Sequence, residues 1–302
     1  MLNLNGIRKE LKQNRQDLAF IIGNGVNRYQ SKKTSASWKD LLLHLYQNVT
    51  GKKLANIEDG ILYTEFYNLL LMDGNTADQV RQEVINFTLK HYQPTAYHKQ
   101  LQKKLMEWMV PVLTTNYDSC LEQGCTMYKM KNQGGVNRRF TDYYPWEVYY
   151  GTNYLQNPLS GFGVWHINGM TAYKRSIKMS LTEYINQSVH ARKFIHSNEK
   201  LMDFDNKNKP YWNGSNTWLH LFFNANLCIF GLGLDVNETF LRWLMMERER
   251  YFRKFPERRK KGWYLFTKED KIEEGKRLFL NSTGFEEVQL TNYQEMYEGI
   301  FK

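Results

Sequence analysis

Leu18-Ala19-Phe20-Ile21-Ile22-Gly23-Asn24-Gly25-Val26-Asn27 decides the fold of this chain. Five consecutive apolar residues bounded by a glycine turn suit a short strand buried on both faces, the habit of a parallel sheet. The glycines let backbone amides approach a pyrophosphate where the next helix begins. The theme recurs at Leu227-Cys228-Ile229-Phe230, which runs into Gly231-Leu232-Gly233-Leu234-Asp235 ahead of an amphipathic helix predicted over Glu238 to Phe252. Met109-Val110-Pro111-Val112-Leu113-Thr114-Thr115 is a third apolar run, ending in polar Asn116-Tyr117-Asp118. Gly262 to Phe266 and Glu287 to Leu290 add two candidate strands, separated by a helix near Glu273 to Phe279. Such alternation predicts an α/β fold, a doubly wound parallel sheet of Rossmann type.

Ser37 is a plausible N-cap for a helix carrying Trp38, Leu41, Leu42 and Leu45 on one face. From Ile61 to Trp108 apolar residues recur at helical spacing, interrupted at Pro94, which predicts a helical small domain inserted into the sheet. Residues 138–166 lack that period and read as loops or short strands, and Ser180 to Asp205 reads as a helical pair with Ser180 and Glu183 in capping-box register. The whole of 1–302 is taken as one domain, its sheet core at about 15–50, 109–170 and 222–302 and its helical insertions at about 51–108 and 178–221.

With 302 residues, 42% hydrophobic and 15% aromatic, the chain can bury a substantial core. Its net charge of +10 favours anionic partners without dictating a fold. The densest positive run, Arg253 to Lys261, reads as the solvated end of a helix, the alternative being a patch for nucleic acid or a partner protein. Cys120, Cys125 and Cys228 are too few for a four-thiolate zinc site, so no metal is expected. Residues 1–12 alternate polar and apolar, and no run approaches the roughly 18 apolar residues of a membrane span, so the expectation is a cytoplasmic protein that engages no membrane.

Read singly, the polar motifs are ambiguous. Asn116 and Asp118 suit an Asx turn after a strand, and His166, in Trp165-His166-Ile167-Asn168-Gly169, suits a hydrogen-bonded structural histidine. The full Gly-x-Gly-x-x-Gly fingerprint is absent because Arg28 holds its last position. Trp165, Trp212 and Trp218 read as core aromatics, with stacking on a base as the alternative, and His91, His98 and His220 read as structural. What changes the weighing is order along the chain and a common address at the carboxyl edge of one sheet.

The ordered set Gly23-x-Gly25, Thr115-Asn116-Tyr117-Asp118, His166 with Gly169, and Gly231-x-Gly233-x-Asp235 resembles the sirtuin-like domain of bacterial antiphage NADases, over roughly residues 20–263. The resemblance implies NAD as substrate, bound in a cleft, and cleavage of its nicotinamide glycosidic bond. It implies that Asn116 positions the ribose or the attacking water and that His166 is the catalytic histidine. Asp118 would lie near the nicotinamide end, and Thr115 would bind the cofactor. Gly23, Asn24, Gly25 and Asp235 would line the ADP-ribose half, and Asn27, Gly231 and Gly233 would also bind the dinucleotide. Sirtuins usually have alanine and serine where this chain has Asn24 and Asn27, so the phosphate loop differs. Their paired-cysteine zinc ribbon is missing too, which argues against a deacetylase.

The chemistry suits these residue types. Nicotinamide departs from a cationic pyridinium as a neutral molecule, so the paired carboxylates of ordinary glycosidases are unnecessary. A histidine near pKa ~6.5 can take a proton from a ribose hydroxyl or water, worth about 10²–10⁴ in rate. The activity that the resemblance implies, and that these residue types suit, is NAD glycohydrolysis to nicotinamide and ADP-ribose, depleting NAD in antiphage defence. The alternatives are a regulatory subunit that binds NAD or ADP-ribose and engages nucleic acid, and a protein deacylase or ADP-ribosyltransferase. Because the motifs occupy most of the chain, a second protein subunit is expected as sensor or regulator, within a homo- or hetero-oligomer.

Overall fold

The computed structural model describes residues 2–31, 36–72, 76–130, 144–196 and 212–302. In chain order the elements are α1 (Leu4–Gln13), β1 (Leu18–Ile22), α2 (Gly25–Arg28), α3 (Trp38–Thr50), α4 (Tyr63–Met72), α5 (Ala77–His91), α6 (Ala96–Trp108) and β2 (Val112–Thr114). There follow β3 (Thr126–Lys129), β4 (Val148–Gly151), β5 (Val164–His166), α7 (Leu181–Ile195), α8 (Leu219–Asn224), β6 (Asn226–Phe230), α9 (Thr239–Lys254), β7 (Gly262–Thr267), α10 (Glu274–Ser282), β8 (Glu286–Leu290) and α11 (Tyr293–Tyr297).

The strands form one sheet in the order β3-β4-β5-β2-β1-β6-β7-β8. β5 through β8 of that order run parallel, and β3 and β4 add an antiparallel edge. This is the mixed α/β, Rossmann-like architecture that the alternation predicts. Every residue of β1 is buried, because each face of the sheet is covered. Ala19 and Ile21 join one core with Leu227, Ile229 and residues of α7, α8 and α9. Leu18, Phe20 and Ile22 join the opposite core with Ile7 and Leu11 of α1 and with Tyr97, Leu101 and Leu105 of α6.

A third apolar cluster gathers α3, α4 and α5 around Leu42, Leu45, Tyr67 and Val84, together with Ile177 and Met179. α3 packs with α4 and α5, whereas α6 belongs to the sheet. Capping boxes start α3 at Ser37, α5 at Thr76, α6 at Thr95 and α7 at Ser180, each satisfying amides that the first helical turn leaves unpaired. Of the helical pair expected over Ser180 to Asp205, α7 is the first member, and residues 197–205 lie outside the described ones. No described helix is long and apolar enough to cross a membrane.

Register brings the motifs together. Phe20, Ile21 and Ile22 pair with Val112, Leu113 and Thr114, Thr114 pairs with His166, and Ile22 pairs with Phe230. Gly23, Thr115, Ile167 and Gly231 therefore leave the sheet side by side at its carboxyl edge, where open α/β sheets bind ligands. The two glycine turns touch. A Cβ on Gly25 would lie 2.7 Å from Gly231 Cα and 2.3 Å from Tyr297 Oη, and a Cβ on Gly23 would lie 2.7 Å from Gly231 O, whereas one on Gly233 would meet nothing within 4 Å. Gly25→Ala is expected to cost about 3 kcal/mol of unfolding free energy in urea, since backbone must shift. Gly233→Ala should stay within about 0.5 kcal/mol of wild type in the same titration.

Candidate functional site

A cavity of about 380 Å³ opens at this carboxyl edge, a size suited to a small-molecule ligand. Eight of the sequence-nominated residues line it: Asn24, Gly25, Thr115, Asn116, Asp118, Gly231, Gly233 and Asp235. Gly23, Asn27 and His166 are not in its wall. Each of the three nevertheless bonds a residue that is.

Gly23 O accepts a hydrogen bond from Asn116 Nδ2 at 3.3 Å. The Asn116 amide N is held by Thr114 Oγ1 at 3.1 Å, and its carbonyl accepts from His166 Nδ1 at 2.8 Å. Three anchors thus fix Asn116, a buried residue, in the cavity wall.

His166 itself is 1% exposed and stands behind that wall. With a carbonyl acceptor at Nδ1, that nitrogen carries a proton, and Nε2 lies 3.1 Å from Glu122 Oε1. Burial alone would lower the imidazole pKa, but the Glu122 charge and hydrogen bond, helped by the Asn116 carbonyl, outweigh it and raise the value. The arrangement is a buried histidine-glutamate pair. Both ring nitrogens are engaged inside the protein, so the ring reaches the cavity only through Asn116. Sequence placed His166 at a strand end, and the register buries that last strand position. Asn168, two residues on and clear of the strand, lines the cavity instead.

Asn27 anchors a second buried network. Its Nδ2 donates to Asn24 Oδ1 at 2.9 Å and to Asp118 Oδ2 at 2.7 Å, and Asp118 Oδ1 accepts from the Cys120 amide at 3.0 Å. His98 completes it. The Thr95 amide donates to His98 Nδ1 at 3.0 Å, so the proton sits on Nε2, which donates to Asn27 Oδ1 at 2.9 Å. Burial lowers the His98 pKa against the opposing pull of Asp118, which suits this neutral tautomer. His98 is structural, as read from sequence, yet it sets the orientation of two residues beneath the site.

Four amides of the glycine loop are spent internally. Gly23 N donates to Phe230 O, Gly25 N to Gly231 O at 2.7 Å, Val26 N to Gly23 O and Asn27 N to Asn24 O. Close packing of the two turns is therefore what the glycines permit, more than a cradle of free amides for phosphate. Cationic groups come from Arg28 and Lys39, which also line the cavity. Sequence reading passed over the latter, and over Tyr63, Tyr92, Tyr184 and Glu238, because they arrive from helices whose packing around the mouth has no local signature.

Trp165 and Trp218 are 0% exposed and Trp212 is 4% exposed, all three in the sheet core away from the cavity, as the core reading expects. Glu183 caps α7 and pairs with Arg81. In the basic run, Arg253 and Arg259 bind Glu249, Lys260 binds Asp17 at 2.7 Å and Lys261 binds Glu10 at 2.6 Å, an ion-paired surface. Among the described residues no cluster of histidine, cysteine or carboxylate side chains is arranged to hold a metal. No protein-family model and no curated protein matches this chain.

The His166-Glu122 pair has a stability consequence with a definite sign. A histidine whose folded pKa exceeds its unfolded ~6.5 contributes stability that is fully present below ~6.5 and lost as pH rises through the folded value. Glu122→Gln, which keeps a hydrogen-bonding partner for the ring, should flatten this term in urea titrations between pH 6 and 9. Glu122→Ala leaves a buried cation alone and should cost about 3–5 kcal/mol at pH 6. Identical pH dependence in wild type and Glu122→Gln would remove the pair from this account.

Proposed function

We propose that this chain is a sirtuin-like NAD glycohydrolase that cleaves the nicotinamide-ribose bond to give nicotinamide and ADP-ribose, and so depletes NAD in antiphage defence. The observation that carries the reading is convergence: motifs from β1, β2 and β6 that lie some hundred residues apart meet in one cavity, with Asn116 held by three anchors in its wall. In this reading α3, α4 and α5 act as the helical small domain closing the cleft, and Arg28 and Lys39 meet the pyrophosphate.

The reaction requires that the C1′–N1 bond break with its electron pair passing to the ring nitrogen, while water adds to C1′ and loses a proton to solvent. Fixed dipoles aimed at the developing ribosyl cation lower the barrier because they need not reorganise. Asn116 Oδ1 is such a dipole, its Nδ2 being tethered to Gly23. His166 acts as a positioning residue in this scheme, through the carbonyl of Asn116, and Asp118 with Asn27 holds the floor. A second protein subunit, in a homo- or hetero-oligomer, would supply the trigger.

A second reading is favoured by one specific fact. With His166 behind the wall, no histidine faces the cavity among the described residues, which suits binding of NAD or ADP-ribose without turnover.

Chromatography of NAD incubated with the purified protein, alone and as the complex isolated from cells, separates these. Cleavage in wild type and a loss of about 10²–10³-fold in Asn116→Ala, with an unchanged melting temperature, is the expected outcome. Full cleavage by Asn116→Ala overturns the assignment, and binding without cleavage under both conditions favours the regulatory reading.

A further inference from the structure

Glu238 is the N-cap residue of α9, yet its side chain caps nothing. Its carboxyl, on a half-buried residue, accepts no hydrogen bond from any described residue, and it lines one cavity with Tyr117 and Tyr184, both of which feel its charge. A carboxyl that faces a cavity without a partner among the described residues is available to a ligand. The neighbouring acids are already committed. Asp118 accepts from Asn27 and Cys120, and Asp235 accepts from the Asn237 amide at 2.7 Å while facing Arg242 and Lys276.

The two rings come from different elements. Tyr117 follows β2 directly after Asn116, its hydroxyl is tied to Lys178 O at 2.7 Å, and the residue lines the cavity while packing against the third apolar cluster. Tyr184 projects from α7 and is buried. A carboxylate flanked by aromatic rings attracts a flat cation twice, by charge and by the negative faces of the rings. A neutral ring of the same shape gains only the stacking.

We propose that Glu238, Tyr117 and Tyr184 form a cation-recognising subsite that takes the charged pyridinium ring of NAD⁺ and discriminates against the uncharged dihydropyridine of NADH. The assignment rests on the dinucleotide reading above and adds to it the group that senses the charge of the ring.

The electrostatics supply a second signature. Loss of water first, and the Asp235 charge second, push the Glu238 carboxyl up to about 8. The titratable groups that face it are Asp235 from its own loop, Tyr117 beyond β2 and Tyr184 on α7, and both tyrosines are themselves held well above their usual range by burial. Asp118, Arg28 and Lys39 share the cavity. A carboxyl raised in this way holds its proton further into the neutral range than an ordinary glutamate. A cation arriving beside it stabilises the carboxylate and expels that proton, whereas a neutral ring leaves it in place.

Isothermal titration calorimetry of the full chain tests this with four probes: NAD⁺, NADH, 1-methylnicotinamide, which is a cation, and neutral nicotinamide. Wild type is expected to prefer NAD⁺ over NADH by about 10- to 30-fold, the range of a desolvated cation-aromatic contact. Titrations in buffers of different ionisation enthalpy should report net proton release on NAD⁺ binding near pH 7.5 and none on NADH binding. In Glu238→Gln, an isostere of the protonated acid, the preference should fall below about threefold and the proton release should vanish, while NADH affinity holds.

The outcomes separate the two readings. A preference and proton release that survive in Glu238→Gln overturn the subsite and leave the dinucleotide site standing. Glu238-dependent binding of 1-methylnicotinamide without binding of NAD⁺ supports the subsite and overturns the dinucleotide reading. Failure of wild type to bind either cation overturns both.

Discussion

The contact between two backbone turns governs the site. Gly25 N donates to Gly231 O at 2.7 Å, and the space around Gly23 and Gly25 is filled by the backbone of residues 231 and 232. No side chain fits there. This approach brings the ends of β1 and β6 into register, leaves Gly23 O facing Asn116, and sets the two lips of the cavity at a fixed spacing. A larger residue at either turn would splay the central strands at the point where their exits must converge.

Beneath the cavity lies a layer of buried polar groups that is costly to build and rigid once satisfied. The His166-Glu122 pair and the Asn27-Asp118-His98 network each hold one cavity residue, Asn116 and Asp118, from behind. Their protonation demands are opposite. His166 is favoured charged by Glu122, whereas His98 is favoured neutral by burial, and its Nε2 proton is needed by Asn27. The two histidines in the floor of the site are therefore tuned in opposite directions, a difference made by the surroundings of each ring and not by the residue type.

Much of the fold is legible in short stretches because the signals are local. Leu18 to Ile22 shows its double-sided burial as an unbroken apolar run, and Ser37 announces α3 through a hydroxyl that bonds three residues ahead. α1 is less visible. Its buried residues are only Ile7 and Leu11, one turn apart on a mostly polar helix, and the chain there reads as alternation. The β3 and β4 edge is weaker still, since β3 is largely exposed and carries no run to notice. Within the site, Asn116, Asp118 and the glycine turns are legible because they follow strands. Glu238, Tyr184 and Lys39 are not, for they reach the cavity from helices whose placement depends on the cores around them.

The amino-acid sequence by itself determined the layered α/β plan and the residues that stand at the carboxyl edge of the sheet, because strand period and turn chemistry act over a few neighbours. Only the tertiary structure decided which of those residues face the cavity. His166 ends its strand and is turned inward against Glu122, while Asn168 lies just past the sheet and is open to the cavity. Facing is set by register and by what packs opposite, and both are sums over contacts between segments far apart in the chain.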